Sequence, residues 1–500
     1  MTELTASDGS RTPRRASALW RGVRATTLTS SLVLSACNLG PHYVRPDIPA
    51  PATWTPVTPE STPSQARLPD ATTWPDAQWW HGFGSPDLDR LIDQAQQAND
   101  DLKAAMARVQ QSDAQVRIAG APLLPSLQAG FTPARQRMIL PNGTNQAISV
   151  TTFTAQLSAA YELDFWGRNA ALRASAVAQD FGSRYDRETV QLSLIASVAS
   201  TYFTALSLRD RVEVATNNLT NERETLRGLQ FEQRVGTATA LDVAQQQSLV
   251  DTEDATLPAL RAQLSHSLAA LAILVGTTPD QLQLGQATLD QIAAPPVMTG
   301  LPAQLLARRP DVASAEAQLI AANANVRAAR AAFFPTIQLT ASGGVQSSAL
   351  STLLLPGSRI FDIGAGITQP IFEGGQLAGT YAQTKGRYGE LLADYHKAVI
   401  SAFGNAQDSL TEVHEAAEQQ LRQDRATQTA RRAYDFSQQQ FHAGTINILT
   451  VLTTETALLT AQDTQAQVRL AHLSALVNLY QALGGGWDTQ QEQTTMRGEP

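Results

Sequence analysis

Apolar residues recur along this chain in two rhythms. Over 152–165 the step is two: Phe153, Ala155, Leu157, Ala159, Tyr161, Leu163 and Phe165 are apolar, while Thr152, Thr154, Gln156, Ser158, Glu162 and Asp164 are polar. Only Ala160 is neutral on the polar side. Such alternation predicts a strand with one greasy and one wet face. The same step appears at Leu127, Ala129 and Phe131 and again at Ile337, Leu339 and Ala341. Strands are expected near 126–138, 150–165, 336–348 and 359–371. Soluble strands average ~5–6 residues, whereas tilted membrane strands need about 9–11. The lengths fit membrane strands, and a long half-buried hairpin is the competing reading. Elsewhere the step is three or four, as at Leu192, Ile195, Ala199, Tyr202 and Leu206. With no proline between Pro141 and Pro258, a helix is expected over 168–234, which at ~1.5 Å per residue would extend about 100 Å. No compact core needs such a helix, but a coiled tube does.

The two rhythms occur twice. At an offset of 210, residues 101–128 overlay 311–338 with ten of twenty-eight positions identical, among them Asp101/Asp311, Arg117/Arg327, Pro125/Pro335 and Gln128/Gln338. At an offset of 208, Gly167 meets Gly375, Gly236 and Thr237 meet Gly444 and Thr445, Leu241 meets Leu449, and Gly276 meets Gly484. Alanine-rich helices match by composition alone; glycines and prolines at equal intervals mark a tandem duplication. Each half reads as an Ala-rich helix (87–119 and 311–332), two strands around a Pro/Gly turn, and a long helical hairpin. The hairpins turn at Gly236 and Gly444, residues suited to a left-handed helix cap. The organisation expected is a signal over 1–36, a tether over 37–85, a first repeat over 86–290, a second over 291–487 and a tail over 488–500.

Composition narrows the function. The 500 residues are 43% apolar, which rules out wholesale disorder. A net charge of −8 leaves no basic footprint for nucleic acid. One cysteine excludes a disulfide framework and a Cys-based zinc site. The seven histidines show no metal spacing; His414, in EVHEAAEQQ, lacks the second histidine of a zinc motif and reads as a helix-surface residue. No nucleophile–base pair or phosphate loop stands out, so neither an enzyme nor a cofactor is expected.

The single cysteine has a context of its own. Five arginines and two acids precede a modestly apolar stretch ending in Leu34, Ser35, Ala36 and Cys37. A basic flank, a short apolar core and small residues before a cut describe a secretory signal. The final four residues resemble a bacterial lipobox, in which the cysteine thiol is acylated; a chance cysteine behind a poor signal is the alternative. Asn38, rather than aspartate, follows the cysteine, which in Gram-negative lipoproteins implies outer-membrane sorting.

Four strands cannot close a membrane barrel, and an open edge is forbidden in lipid, so copies must pool their strands. The motifs carry a resemblance that agrees. They are Trp79, Trp80 and Phe83 before PDL at 86–88, YELDFWGR at 161–168, RRPD at 308–311, PIFEGG at 370–375 and ALGGGW at 482–487. Together, over nearly everything after residue 37, they resemble the TolC family of outer-membrane efflux ducts, in its OprM/NodT-like lipoprotein branch. That resemblance implies a mainly α chain with membrane β: a trimeric twelve-stranded outer-membrane barrel, four strands per chain, continued by a long periplasmic α-helical coiled-coil barrel.

The resemblance also implies sites and partners. Helical tips at Val235, Gly236 and Thr237, and at Ala443, Gly444 and Thr445, would contact a periplasmic adaptor (membrane fusion) protein linked to an inner-membrane pump, proton-driven and of the RND type. A periplasmic constriction would lie at Asp242, Leu449, Thr450 and Thr453: hydroxyls of Thr450 and Thr453 replace the aspartates common in the family, Leu449 matches an apolar constriction residue, and Asp242 keeps the acidic position in the first half. For Asp242, stabilising the first turn of a helix beside Thr239 is an equal alternative. The expected function is a passive conduit exporting small toxic compounds or drugs. A type I protein-secretion duct is the alternative within the fold, and a lipid-anchored periplasmic coiled-coil scaffold the alternative outside it.

Overall fold

The computed structural model describes residues 43–49, 51, 54, 74, 76–139, 147–296 and 302–487. Cys37, the signal region, the turn at Pro141, Asn142 and Gly143, and the tail from 488 lie outside the described residues. The described residues form two compact units: one comprises 43–44, 114–139, 147–177 and 320–389, the other 45–49, 51, 54, 74, 76–113, 178–296, 302–319 and 390–487.

In chain order the main elements are α1 (Pro86–Ala98), α2 (Asp100–Gly120), β1 (Ser126–Ile139), β2 (Ala147–Leu163), α3 (Arg168–Val235) and α4 (Ala240–Leu274). The second half repeats the series with α5 (Pro310–Ala331), β3 (Thr336–Ser347), β4 (Arg359–Thr368), α6 (Gln376–His442) and α7 (Ile448–Ala482). The helix expected over 87–119 is in fact two. Asn99 takes an extended conformation and ends α1, while its Oδ1 accepts the Leu102 N–H at 3.0 Å to cap α2. By contrast, β4 stops at Thr368, short of 371, because Pro370 has no N–H for the ladder.

The first unit is built on a four-stranded antiparallel sheet in the order β1-β2-β3-β4. Its register puts like with like. Leu127 faces Ala159, Ala159 faces Ala341, and Ala341 faces Ile363; Leu157 faces Gly343, which faces Phe361. One face is therefore apolar across all four strands, and it is exposed: Leu127 is 70% accessible, Phe361 85% and Ile363 80%. The YELDFWGR motif turns β2 into α3. Glu162 pairs with Arg168 through two bonds of 2.9 and 3.0 Å. Asp164 accepts the Asn169 and Ala170 N–H groups, which satisfies donors at the helix start. Trp166 stacks on Phe334 and donates to the Pro335 carbonyl, pinning the crossing to the second repeat.

In the second unit, α3 packs on α4 through Leu208, Ala215, Leu219 and Leu226 against Val250, Leu257 and Leu260. Both α3 and α4 contain stretches long and apolar enough to cross a membrane by composition, yet half of that stretch in α3 is already buried in the protein's own packing. The ends away from the tips are closed by the remaining motifs. Gly276 and Gly484 have positive φ, and a Cβ at either would collide with the Ala98 or Arg308 carbonyl. Asn99 Nδ2 donates to the Leu274 carbonyl at 3.0 Å, and Arg309 Nη1 donates to the Ala482 carbonyl, also at 3.0 Å. These acceptors stand 208 residues apart, so two different side chains close the same helix end in the two repeats. Trp79 stacks on Tyr480, and Trp487 meets Tyr185 edge-on.

Candidate functional site

The expected tip residues sit at two helical reversals built alike. Gly236 has φ +83° and Gly444 φ +71°, the left-handed region glycine enters without penalty. Gly236 N–H donates to the Gln233 carbonyl and Thr237 N–H to Glu232, at 3.1 and 2.9 Å. Gly444 N–H donates to Phe441 and Thr445 N–H to Gln440, at 2.9 and 3.0 Å. This is the Schellman pattern, which occupies helix carbonyls otherwise left open. Each threonine hydroxyl adds a second bond to the same carbonyl, Thr237 to Glu232 and Thr445 to Gln440. The Gly-Thr pair is thus a rigid turn whose outer surface is free: Val235 is 59% accessible, and Gly236, Thr237, Ala443, Gly444 and Thr445 are exposed.

The two tips lie side by side. Leu229 packs with Ile448, Val451 and Leu452, supported by Ala238, Val243, Tyr434 and Phe441. The constriction candidates follow each turn. Asp242 carries the structural role: its Oδ2 accepts the Thr239 N–H at 2.8 Å and the Thr239 hydroxyl at 2.7 Å, while Thr239 Oγ1 accepts the Asp242 N–H. In the second repeat Asn447 caps the helix, its Oδ1 accepting both the N–H and the hydroxyl of Thr450, at 3.2 and 3.0 Å. Thr453 donates its hydroxyl to the Leu449 carbonyl, and Leu449 is half exposed.

A cluster that the sequence reading missed lies behind the tips. Glu222 on α3 is fully buried, and neither carboxyl oxygen has a hydrogen-bond partner among the described residues. Gln246 on α4, also fully buried, donates to the Glu222 main-chain carbonyl at 3.2 Å and leaves its own Oε1 unpaired. Burial, with repulsion from Glu253 on α4 and Glu455 on α7, pushes the Glu222 carboxyl up to about 8. Glu455 is raised by burial although the Tyr434 hydroxyl donates to it at 3.3 Å, and Glu253 is raised by burial and by Asp463. The available signal was helical phase: Glu222 falls on the stripe of Leu219, Leu226 and Leu229.

A family profile described as "Outer membrane efflux protein" matches residues 91–277 and 301–485, one block for each repeat. The chain belongs to the outer membrane efflux protein family. This efflux protein is 39% identical over 472 residues to the pyoverdine export outer membrane protein OpmQ of Pseudomonas aeruginosa, covering 93% of this chain and 97% of that one. It is 34% identical over 475 residues to the toluene efflux pump outer membrane protein TtgF of Pseudomonas putida, with 93% and 98% covered. Among solved structures, the outer-membrane channel OprN superposes with a TM-score of 0.83 at 26% identity, covering 90% of this chain and all of that one. The open state of the MtrE outer membrane channel of Neisseria gonorrhoeae gives 0.80 at 28% identity, with 90% and 98% covered. The protein is an outer-membrane channel component of an efflux pump with a TolC-like fold, as the resemblance implied.

Proposed function

We propose that three copies close into one twelve-stranded barrel, and that the resulting duct passively exports small toxic compounds. The observation that carries this is the sheet: apolar on one face, with β1 and β4 as its two edges. Three antiparallel pairings, β1 with β2, β2 with β3 and β3 with β4, make β4 antiparallel to β1, so β4 of one copy can pair antiparallel with β1 of the next, a head-to-tail contact that closes a ring. The apolar face runs along β2 from Phe153 to Leu163. Ten steps of ~3.4 Å, tilted by about 40°, give a band of ~25 Å, the height of a membrane barrel's apolar belt.

The conduit performs no chemistry, and its energy comes from an inner-membrane pump, proton-driven and of the RND type, coupled through a periplasmic adaptor. Val235, Gly236, Thr237, Ala443, Gly444 and Thr445 offer the adaptor a rigid exposed turn on each hairpin. Leu449, Thr450 and Thr453 form the constriction, with Asp242 held back as a cap. Acylation at Cys37 anchors the chain, and one such anchor tethers a protein without inserting it. Relatives named for pyoverdine export and toluene efflux support small organic cargo over secreted protein.

The test is to fractionate a Gram-negative host making the protein, run its outer membrane on a gel with and without boiling, and label with palmitate. A labelled outer-membrane band at three times the chain mass, unlabelled in Cys37→Ser, is expected. A soluble, unlabelled periplasmic monomer would overturn the barrel and leave the scaffold reading.

A further inference from the structure

The charges on the sheet are sorted by sign and by face. On the four strands the arginine, lysine, aspartate and glutamate residues are Arg135, Arg137, Glu162, Arg359 and Asp362. Side chains alternate along a strand and paired residues share a face, so the ladder assigns each one. Arg135, opposite Thr151, and Arg137, opposite Ser149, share the face of Phe131 and Leu127. Arg359, opposite Val345, shares the face of Phe361 and Ile363. Both acids lie on the other face. All three arginines are therefore on the apolar side, and all at the end of the sheet that carries the β1–β2 and β3–β4 turns. Each is exposed, and none has an ion-pair partner among the described residues.

The alternation breaks at that end and nowhere else on this face. After Leu127, Ala129, Phe131 and Pro133, the next two positions on the apolar side are arginines, and across from them β2 offers Thr151 and Ser149 where it had Phe153, Ala155 and Leu157. A ligand covering this surface must be apolar along its length and anionic at one end. We propose that Arg135, Arg137 and Arg359 bind the head-group phosphates of lipid in the leaflet surrounding the turn end of the barrel. The guanidinium fork matches phosphate oxygens two at a time, and its stem lies along apolar surface while the head reaches polar ground. At the edge of a bilayer an outward arginine costs far less than at the midplane, so the position tolerates it even before a phosphate pairs with it. Because β1 and β4 are the two edges, head-to-tail closure sets the arginine of β4 on the strand next to the β1 pair, once at each of three junctions. The inference rests on the barrel reading above.

The experiment uses the full-length trimer, stripped of lipid in a zwitterionic detergent. Native mass spectrometry and thermal melting would follow the addition of a diphosphorylated glycolipid, of phosphatidylcholine or of inorganic phosphate. Arg135→Gln/Arg137→Gln/Arg359→Gln is compared with wild type and with the matching triple lysine variant; single Arg359→Gln serves if the triple glutamine variant does not assemble. Wild type is expected to retain the glycolipid and melt higher with it, and the triple glutamine variant to bind at least tenfold more weakly. The lysine variant should fall between them, and phosphatidylcholine should not discriminate. Equal glycolipid binding by wild type and the glutamine variants would overturn the proposal, as would full displacement of the glycolipid by equimolar inorganic phosphate. A chain that forms no heat-modifiable trimer fails the barrel reading; a trimer that enters vesicles yet ignores the phosphate fails only this one.

Discussion

Replacing Glu222 by glutamine should stabilise the protein at neutral pH and flatten its pH dependence. In the packed helices this carboxyl titrates at about 8, against 4.5 when free, because burial and the facing Glu253 and Glu455 disfavour its charge. Within that interval the packed state binds a proton that the unfolded chain has released, so stability falls as pH rises. Below 4.5 both states are protonated and nothing is lost; above about 8 the whole penalty stands. At 1.36 kcal/mol per pH unit the interval amounts to about 5 kcal/mol on the alkaline side, of which about 3 kcal/mol is already lost at pH 7. Helix movement that admits water to the carboxylate lowers both figures. Glutamine keeps the shape and cannot ionise. Circular-dichroism melts in detergent at pH 5, 7 and 8.5 should show wild type losing about 3–5 °C across the range, with Glu222→Gln gaining most of it back at pH 8.5 and nothing at pH 5. Glu253 and Glu455 are raised too, so a shallower slope remains and Glu222→Gln/Glu455→Gln should remove more of it. If Glu222→Gln melts below wild type at pH 8.5, or keeps the full slope, the buried neutral carboxyl is the wrong account.

Three further substitutions separate the roles of turns, caps and faces. Gly484→Ala puts a Cβ 1.9 Å from the Arg308 carbonyl, whereas Gly236→Ala meets open space; both pay about 1 kcal/mol for positive φ, but only Gly484→Ala should lose the heat-modifiable trimer. Asn99→Ala removes both the cap of α2 and the bond to Leu274 and should cost about 2 kcal/mol of unfolding free energy, while Asn99→Asp, which keeps the cap, should lose about half of that. Ala341→Arg lies mid-sheet on the apolar face between Ala159 and Ile363 and should cost about 2–4 kcal/mol per chain and empty the outer-membrane fraction. Its neighbour Ser342→Arg, on the polar face, should still assemble, and equal behaviour of the two would contradict the assignment of faces.

The strands were legible because their information is periodic: a one-residue slip would turn every apolar side chain of β2 to the other face, so alternation fixes the face of each residue. The hairpin turns were legible because positive φ needs glycine, and matched intervals made the glycines visible. The break at Asn99 was hidden, since helix-forming sequence runs on both sides and the cap works by a single side-chain oxygen. Glu222 was hidden by composition, lying in a polar run whose phase nevertheless matches Leu219 and Leu226. Asp242 stood open between lumen and cap, and only geometry could commit its carboxylate to Thr239. The comparison with Thr450 carries that point further. The two positions are equivalent in the repeat, yet in one the acid accepts from a threonine and in the other the threonine donates to Asn447. Exchanging donor for acceptor preserves the cap and removes the charge. The second tip can therefore shed its acid without loss at the helix start, which leaves the charge beside this turn free to vary independently of the fold that holds it.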